Sequence, residues 1–188
     1  IVPLFYQRGR DGLPREWIRR MKASMTHVAK EFSSHRMLKE YSENFYYPAL
    51  ENSRRLAEAE LAPAKDLAAY LAKARKAWPA ISVSELRTNA APVMERGDVV
   101  TASAVVELGG LAPAEAAVEL YHGNLSSQGE IVKPERAEMA AIEQRGSAWI
   151  YRVNVACDRT GKQGYAVRVL PKHPALVSPF VPGLVRWA

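Results

Sequence analysis

Histidine and cysteine are the residues best suited to metal binding or nucleophilic catalysis, and this chain has four histidines and one cysteine. His27 and His35 fall on two different predicted helices, and neither has a cysteine or carboxylate at a spacing that holds a metal ion. His122 lies at a predicted strand end and His173 in a predicted loop, with no better set of partners. Cys157, at another predicted strand end, is expected to be a small core residue rather than a nucleophile. The sequence therefore predicts no catalytic residue, no cofactor-binding residue and no metal ligand within the chain.

Longer motifs support the same conclusion. The chain contains no GxxxxGK[ST] loop, no GxGxxG, no HExxH, no CxxC and no GxSxG. These patterns would have indicated phosphate or dinucleotide binding, zinc hydrolysis, a redox pair or a serine nucleophile. A single cysteine also excludes an intramolecular disulfide, which fits a reducing compartment, so a cytoplasmic location is expected.

The sequence shows neither a membrane-spanning segment nor a signal peptide. No run of 18 apolar residues occurs, so no membrane partner is expected. The chain opens IVPLFYQRGR, with no initiator methionine and no signal-peptide pattern. This opening predicts that the sequence is a fragment of a longer protein.

Aromatic side chains could stack on sugars if their rings were exposed. Trp149 and Tyr151 share a predicted strand face with Val153 and Val155, so we expect both rings in the core. Tyr121 alternates onto the opposite, outer face of its own strand. Tyr121 is therefore the one candidate for sugar contact, and a single ring is a weak signal.

Positive charge is concentrated in the first part of the chain. Residues 1–80 contain 15 lysines and arginines against 9 acidic residues, whereas residues 81–188 contain 11 of each. Nucleic-acid binding would need a basic stripe. Arg19, Arg20 and Lys22 cluster, as do Arg54 and Arg55, but acidic residues interrupt both stretches. A solvated helix surface or an acidic neighbour is the preferred explanation, so no nucleic-acid partner is expected.

Apolar residues at helical spacing predict three helices in the first part of the chain. The first extends from about Pro14 to Phe32, and the second from about His35 to Arg54 with a kink at Pro48. The third extends over Leu61–Trp78 with Pro63 in its first turn. The period then changes from 3.6 to 2 residues, and this change predicts a domain boundary between residues 79 and 80.

After the boundary, alternating apolar residues and turn signals predict six or seven short strands. The clearest stretches are Ile81–Glu85, Val99–Leu108, Ala116–His122, a less regular Pro134–Gln144, Trp149–Val155 and Tyr165–Val169. This pattern is typical of an immunoglobulin-like antiparallel β-sandwich. The predicted fold class is α+β, with a helical segment at residues 1–79 and the sandwich at residues 80–188, ending in an extended tail.

Several segments resemble the C-terminal end of bacterial and archaeal α-glucan phosphorylases. In the helical part they are IVPLFYQRGRDGLPREWIRRMKAS and FSSHRMLKEYSENFYYPA. In the β part they are GDVVTASAVVELGGLAPAEAAVELYHG, GYAVRVLPKHPAL and PGLVRWA, which are similar to a C-terminal extension in one branch of that family.

The resemblance implies that the helices are the end of a Rossmann-like glycosyltransferase lobe. It also implies a parent enzyme that phosphorolyses α-1,4-glucan to glucose 1-phosphate with pyridoxal phosphate. The family's cofactor lysine follows a Ser-Gly-Thr-Ser-x-Met-Lys type of motif, which these 188 residues lack, so no catalytic residue is carried over. The expected partners are the rest of the phosphorylase, its α-glucan, and a second copy of the chain bound through the helices.

The function predicted from the sequence is thus a non-catalytic C-terminal fragment with a structural or assembly role. A carbohydrate-binding β-sandwich module is the alternative. A nucleic-acid-binding helical protein with a β accessory domain ranks last.

Overall fold

The computed structural model describes residues 1–188, and contacts among them define two units, Ile1–Arg55 and Leu56–Ala188. The first unit is helical, and the second contains the end of a helix and two β-sheets. The chain therefore has the α+β character predicted from its sequence.

Three helices open the first unit: α1 at Val2–Tyr6, α2 at Arg15–Glu31 and α3 at Ser34–Tyr41. The hydroxyl oxygen of Ser33 accepts a hydrogen bond of 3.2 Å from the backbone N–H of Arg36, which caps α3. Helix α2 confirms the first predicted helix to within one residue at each end.

The second predicted helix is irregular in a different place from the expected one. A π-helical turn at Ser42–Tyr46 follows α3, and α4 then runs over Tyr47–Ala77. The irregularity expected at Pro48 lies in the turn immediately before it, and Pro48 itself is in the first turn of α4. Proline has no N–H for the carbonyl four residues back, so the disturbance falls on the preceding turn.

A second irregularity interrupts α4 itself. Its backbone leaves helical geometry at Glu58–Leu61, with positive φ at the last three of these residues. Pro63 then stands in the first turn of the segment that follows, as predicted, where its missing N–H costs nothing. A 3₁₀ turn at Trp78–Ala80 ends the helical part.

The second unit contains two four-stranded antiparallel sheets. Sheet A has the strand order β1-β2-β6-β5, and sheet B the order β4-β3-β7-β8. The strands are β1 Ile81–Thr88, β2 Val99–Leu108, β3 Ala116–Leu125, β4 Ile131–Glu138, β5 Ala140–Arg145, β6 Ala148–Ala156, β7 Gln163–Pro171 and β8 Arg186–Trp187.

The core of this unit lies between the sheets and is built by strict alternation. Every second residue of β2 from Val100 to Leu108 is at most 1% exposed. β3 contributes Val118 and Leu120 from its inner face, and β7 contributes Val167 and Val169. The end of α4 joins the same core through the buried residues Tyr70, Ala74, Ala77 and the adjoining Trp78.

One predicted strand is in fact two strands. The sequence predicted a single irregular strand over Pro134–Gln144, but β4 belongs to sheet B and β5 to sheet A. The chain changes sheet at Met139, which is 3% exposed and whose N–H donates to the carbonyl of Val118 over 2.8 Å. A change of sheet needs a break in alternation, which explains the irregular pattern.

Three of the four edge strands contain an extra residue. The register of β1 against β2 shifts between Ser84 and Arg87, that of β4 near Lys133, and that of β5 between Ala141 and Glu143. Glu85 and Lys133 have positive φ angles of 51° and 48° at two of these bulges. The fourth edge strand, β8, is only two residues long.

Candidate functional site

Tyr121, the candidate for sugar contact, lies on the outer face of sheet B. Its neighbours on that face are Glu119 on the same strand and Arg168 on β7, which is directly opposite Glu119. The outward position expected from alternation is what the strand pairing shows, and the ring is half-buried.

Three aromatic rings surround the guanidinium group of Arg168. Its central carbon lies 5.3 Å from the ring centroid of Tyr121, 5.2 Å from that of Phe180 and 5.4 Å from that of Trp187. The Tyr121 and Trp187 rings also meet edge to face, with centroids 5.2 Å apart. Each contact is within the distance at which a cation is attracted to a ring. We refer to Arg168 and these three rings as the arginine cage.

Glu119 neutralises the cation in the cage. Arg168 Nε donates to Glu119 Oε2 over 2.8 Å, and Nη2 lies 2.7 Å from the same oxygen. Only 7% of the arginine side chain and 19% of the glutamate side chain is exposed. A buried ion needs such a partner, because removal from water costs several kcal/mol per charge.

The chain's own C-terminal segment closes the cage. Strand β8 pairs with β7 by placing Trp187 opposite Arg168, and the N–H of Ala188 donates to the carbonyl of Val167 over 2.9 Å. Ala175 and Leu184 are buried on the way to β8. The ring of Tyr121 is therefore in contact with protein groups, and the arginine cage already holds its cation.

A second polar cluster joins the end of α4 to sheet B. The hydroxyl of Tyr70 donates to the carbonyl of Glu115 over 2.7 Å and accepts from the N–H of Lys172 over 2.9 Å. The ring of His173 stacks on Tyr70 at 4.9 Å, and its Nε2 lies 3.0 Å from Asp66 Oδ2. Burial is the main cause that raises the pKa of Tyr70, so its hydroxyl stays neutral and hydrogen-bonded.

The carboxylate of Glu115 completes this cluster. Lys73 Nζ lies 2.6 Å from Glu115 Oε2, which also accepts from the N–H of Ala112 over 2.8 Å. The hydrogen bond from Lys73 and then that from Ala112 lower the pKa of Glu115. The cluster fastens the helix end and holds no group free for catalysis.

The other histidines and the cysteine weighed as possible functional residues are spread through the fold. His27 Nδ1 lies 2.8 Å from the carbonyl of Ala23, and His35 is exposed on α3. His122 stacks on Tyr165 with ring centroids 6.4 Å apart, and Cys157 Sγ lies 3.9 Å from Met94 Sδ. No three His, Cys, Asp or Glu side chains are grouped as a metal site.

Trp149 and Tyr151 were predicted to lie in the core. Tyr151 is 2% exposed and Trp149 is half-buried against the core cluster, so that prediction is confirmed. Arg168 and Trp187 were not singled out from the sequence. The available signal was an arginine inside the run Val167–Leu170, since an arginine buried in a strand needs a carboxylate partner.

The fold and the polar clusters define a small two-sheet β domain with a helix end packed into its core. Residues 78–188 match the family described as glycogen phosphorylase C-terminal domain, so the chain belongs to that family. The resemblance stated from the sequence, to the C-terminal region of α-glucan phosphorylases, is confirmed.

Curated relatives extend the similarity over the whole chain. Glycogen phosphorylase of Mycobacterium bovis is 31% identical over 190 aligned residues, which cover 100% of this chain and 22% of the relative. Maltodextrin phosphorylase of Thermococcus litoralis is 32% identical, over 100% of this chain and 21% of the relative. The chain thus spans about a fifth of the length of these relatives.

A solved structure of an alkylpurine DNA glycosylase from Pseudomonas fluorescens aligns with 48% of this chain at 20% identity and a TM-score of 0.33. That similarity is too low to support an argument about function. No helix here combines the length and the apolar character needed to cross a membrane.

Proposed function

We propose that the chain is the non-catalytic C-terminal part of an α-glucan phosphorylase, with a structural role in its parent. The parent reaction is phosphorolysis of α-1,4-glucan to glucose 1-phosphate, with pyridoxal phosphate held by upstream residues. The observation that carries this proposal is the match to phosphorylases along the whole chain but over only about a fifth of their length.

The surface of the first unit supports a bracing role. Helices α1, α2 and α3 contain no buried residue. Large apolar side chains on this unit are 40–84% exposed, among them Ile1, Phe5, Met25, Phe32, Leu38, Phe45 and Tyr47. Exposed apolar patches of this kind mark interaction surfaces. We assign this surface to contact with the rest of the parent, as the end of its Rossmann-like lobe.

In the isolated chain the same surface is expected to find a second copy. A homodimer through the helices is the proposed state, and sedimentation equilibrium at several concentrations measures it. A monomer at all concentrations would contradict this part of the proposal.

For the second unit we propose an immunoglobulin-like sandwich that acts as a covering or assembly domain. Its two antiparallel four-stranded sheets and inward alternation support this assignment. The boundary between residues 79 and 80 and the cytoplasmic location stay predictions. Limited proteolysis tests the boundary, since cleavage between about residues 77 and 93 should leave a stable β fragment.

The decisive experiment supplies the chain in trans. The parent phosphorylase, ended where this sequence begins, is co-expressed with or without the 188 residues, and glucose 1-phosphate release from maltoheptaose is measured. We expect activity only when both parts are present. Full activity without this chain would exclude a required structural role.

A cofactor test on the isolated chain separates the structural role from a catalytic one. Pyridoxal phosphate is added and the absorbance of a lysine Schiff base is recorded. We expect no stoichiometric band, because no lysine here lies in a matching motif. A band from one lysine would place the active site in this chain.

A glucan-binding module is the second candidate, and the arginine cage gives it one specific support. Trp187 is 47% exposed and touches Tyr121, so two rings are available where the sequence showed one. Their planes are 87° apart, however, and one flat sugar face cannot stack on both. We therefore expect a dissociation constant for maltoheptaose above roughly 1 mM, or about −4 kcal/mol.

Calorimetry with the full chain and maltoheptaose decides between the two candidates. Tyr121→Ala is the matched variant. A micromolar constant that is lost in this variant would make the sandwich a glucan-binding module.

A further inference from the structure

A cavity of about 380 Å³ opens at one end of the β-sandwich. Its walls are the segment that follows β1, at residues 90–96, the segment that connects β6 to β7, at residues 157–162, and Gln163 and Tyr165 at the start of β7. Small-molecule sites in proteins have volumes of roughly 300–1,000 Å³. We refer to this space as the end cavity.

At this end of the sandwich, the inner positions of the strands carry polar side chains instead of the apolar ones found in the core. Along the inner face of β7, Val169 and Val167 are fully buried, but the next inner positions are Tyr165 and Gln163. On β3, which pairs with β7 in the same sheet, Leu120 is followed at the next inner position by His122, directly opposite Tyr165. Polar groups between two sheets are costly unless they have partners, so this end suits a polar occupant.

Positive charge predominates in the lining of the end cavity. Arg96, Arg159 and Lys162 line it, against one acidic residue, Glu95. Arg159 forms an ion pair with Glu135, whereas neither Arg96 nor Lys162 has an ion-pair partner. Two cations without ion pairs in the lining of one cavity favour an anion with several acceptor oxygens, such as a phosphate group.

An apolar surface lies beside these cations. The ring of Tyr165 stacks on His122 at an interplanar angle of 21°, and Met94 and Pro92 also line the cavity. A phosphate ion has no apolar atoms that could pack against this surface. The ring of a sugar has C–H faces that can pack against an aromatic or apolar wall.

We propose that the end cavity binds a small phosphorylated sugar, with the phosphate on Arg96 and Lys162 and the sugar ring towards Tyr165. The site is separate from the arginine cage and needs none of the parent's catalytic residues. Its charges, its apolar wall and its volume make it a ligand site of the second unit itself.

The test is a titration of the ¹⁵N-labelled full chain with glucose 1-phosphate, glucose and inorganic phosphate. We expect glucose 1-phosphate to shift amide signals of residues 90–96 and 157–165, with a dissociation constant of about 1 mM or lower. Either of the other two compounds should bind about tenfold more weakly. Binding should also weaken with added salt, because the cations are exposed.

Two variants and a control assign the contacts. Arg96→Met and Lys162→Met should each weaken glucose 1-phosphate binding by about tenfold, the effect of losing one charge-assisted hydrogen bond. Arg152→Met removes another exposed arginine without an ion pair, on the outer face of β6, and should change nothing.

Three results would overturn the proposal. They are no shifts in these segments, inorganic phosphate or glucose binding as tightly as the sugar phosphate, or an unchanged constant in the Arg96→Met, Lys162→Met double variant. None of them bears on the structural role in the parent, which the trans experiment tests independently.

Discussion

Tyr70 and Glu115 are 45 residues apart in sequence and share a hydrogen bond of 2.7 Å from the phenol hydroxyl to the backbone carbonyl. The same hydroxyl accepts from the N–H of Lys172, so one oxygen joins α4, the turn before β3 and the end of β7. Tyr70 is 6% exposed, and water cannot easily replace these partners.

Tyr70→Phe should therefore lower the free energy of unfolding by about 1 kcal/mol, because both hydrogen bonds of the hydroxyl are lost while the Lys172 N–H keeps its 3.1 Å hydrogen bond to the Glu115 carbonyl. Urea denaturation at neutral pH measures the change. Tyr151→Phe is the matched control, because the Tyr151 hydroxyl is buried without a partner and burial raises its pKa to about 12. Its loss should leave stability equal or higher, and equal losses in both variants would contradict the role of Tyr70.

Glu119→Gln should destabilise the second unit by about 2–4 kcal/mol, because the guanidinium of Arg168 would remain buried without its counter-charge. The comparison is Glu138→Gln, which removes the partner of Lys172 in a pair whose side chains are 50% and 60% exposed. That change should cost less than about 1 kcal/mol. Similar losses for the two would mean that the arginine cage does not depend on charge pairing.

Stability should fall in acid through Glu115. Its pKa is lowered by folding from an ordinary value of 4.5, so the unfolded chain takes up the proton first. The contribution is present above pH 4.5 and is lost as the pH falls below that value through the lower folded-state pKa. Lys73→Met removes the hydrogen bond that is the largest cause of the lowered pKa of Glu115. The free energy of unfolding of this variant should therefore fall less between pH 7 and pH 3 than that of the unsubstituted chain. An unchanged pH dependence in urea titrations would refute this link.

Gly109→Ala should cost more than Gly110→Ala. Both glycines have positive φ, where a side chain costs about 1–2 kcal/mol. A methyl group at Gly109 would in addition lie 2.4 Å from the carbonyl oxygen of Ala77, whereas one at Gly110 would meet nothing within 4 Å. Thermal melting of the two variants isolates the clash, and equal melting temperatures would show that the end of α4 can move away.

The local patterns were predictable from sequence because their causes are local. The burial of alternate residues in β2 follows directly from the alternation of Val100, Ala102, Ala104 and Val106 with mostly polar neighbours, namely Thr101, Ser103 and Glu107. Helix α2 likewise ends at Glu31, next to Phe32, the last residue of the apolar stripe. The outward direction of Tyr121 could be predicted from the alternation of side chains along β3 alone.

Features that depend on residues far apart in the sequence could not be predicted. The division of the stretch around Met139 between two sheets depends on strand partners far along the chain, which no single window contains. The arginine cage needs the register of β3, β7 and β8 at once, so neither Phe180 nor Trp187 could be placed beside Tyr121. The end cavity depends on the approach of two loops, and its signal in the sequence was only the polar residues that follow Leu120 and precede Val167.

The bulges in the edge strands limit how copies of this domain can associate. An edge strand with regular, unpaired N–H and C=O groups invites a strand from another molecule to continue the sheet. Here the extra residues in β1, β4 and β5 distort that template, and β8 offers only two residues. Continuous sheets across molecules, and the fibrils that grow from them, are therefore disfavoured. Any assembly of the second unit must form through side chains on its faces and loops, where single substitutions can tune it.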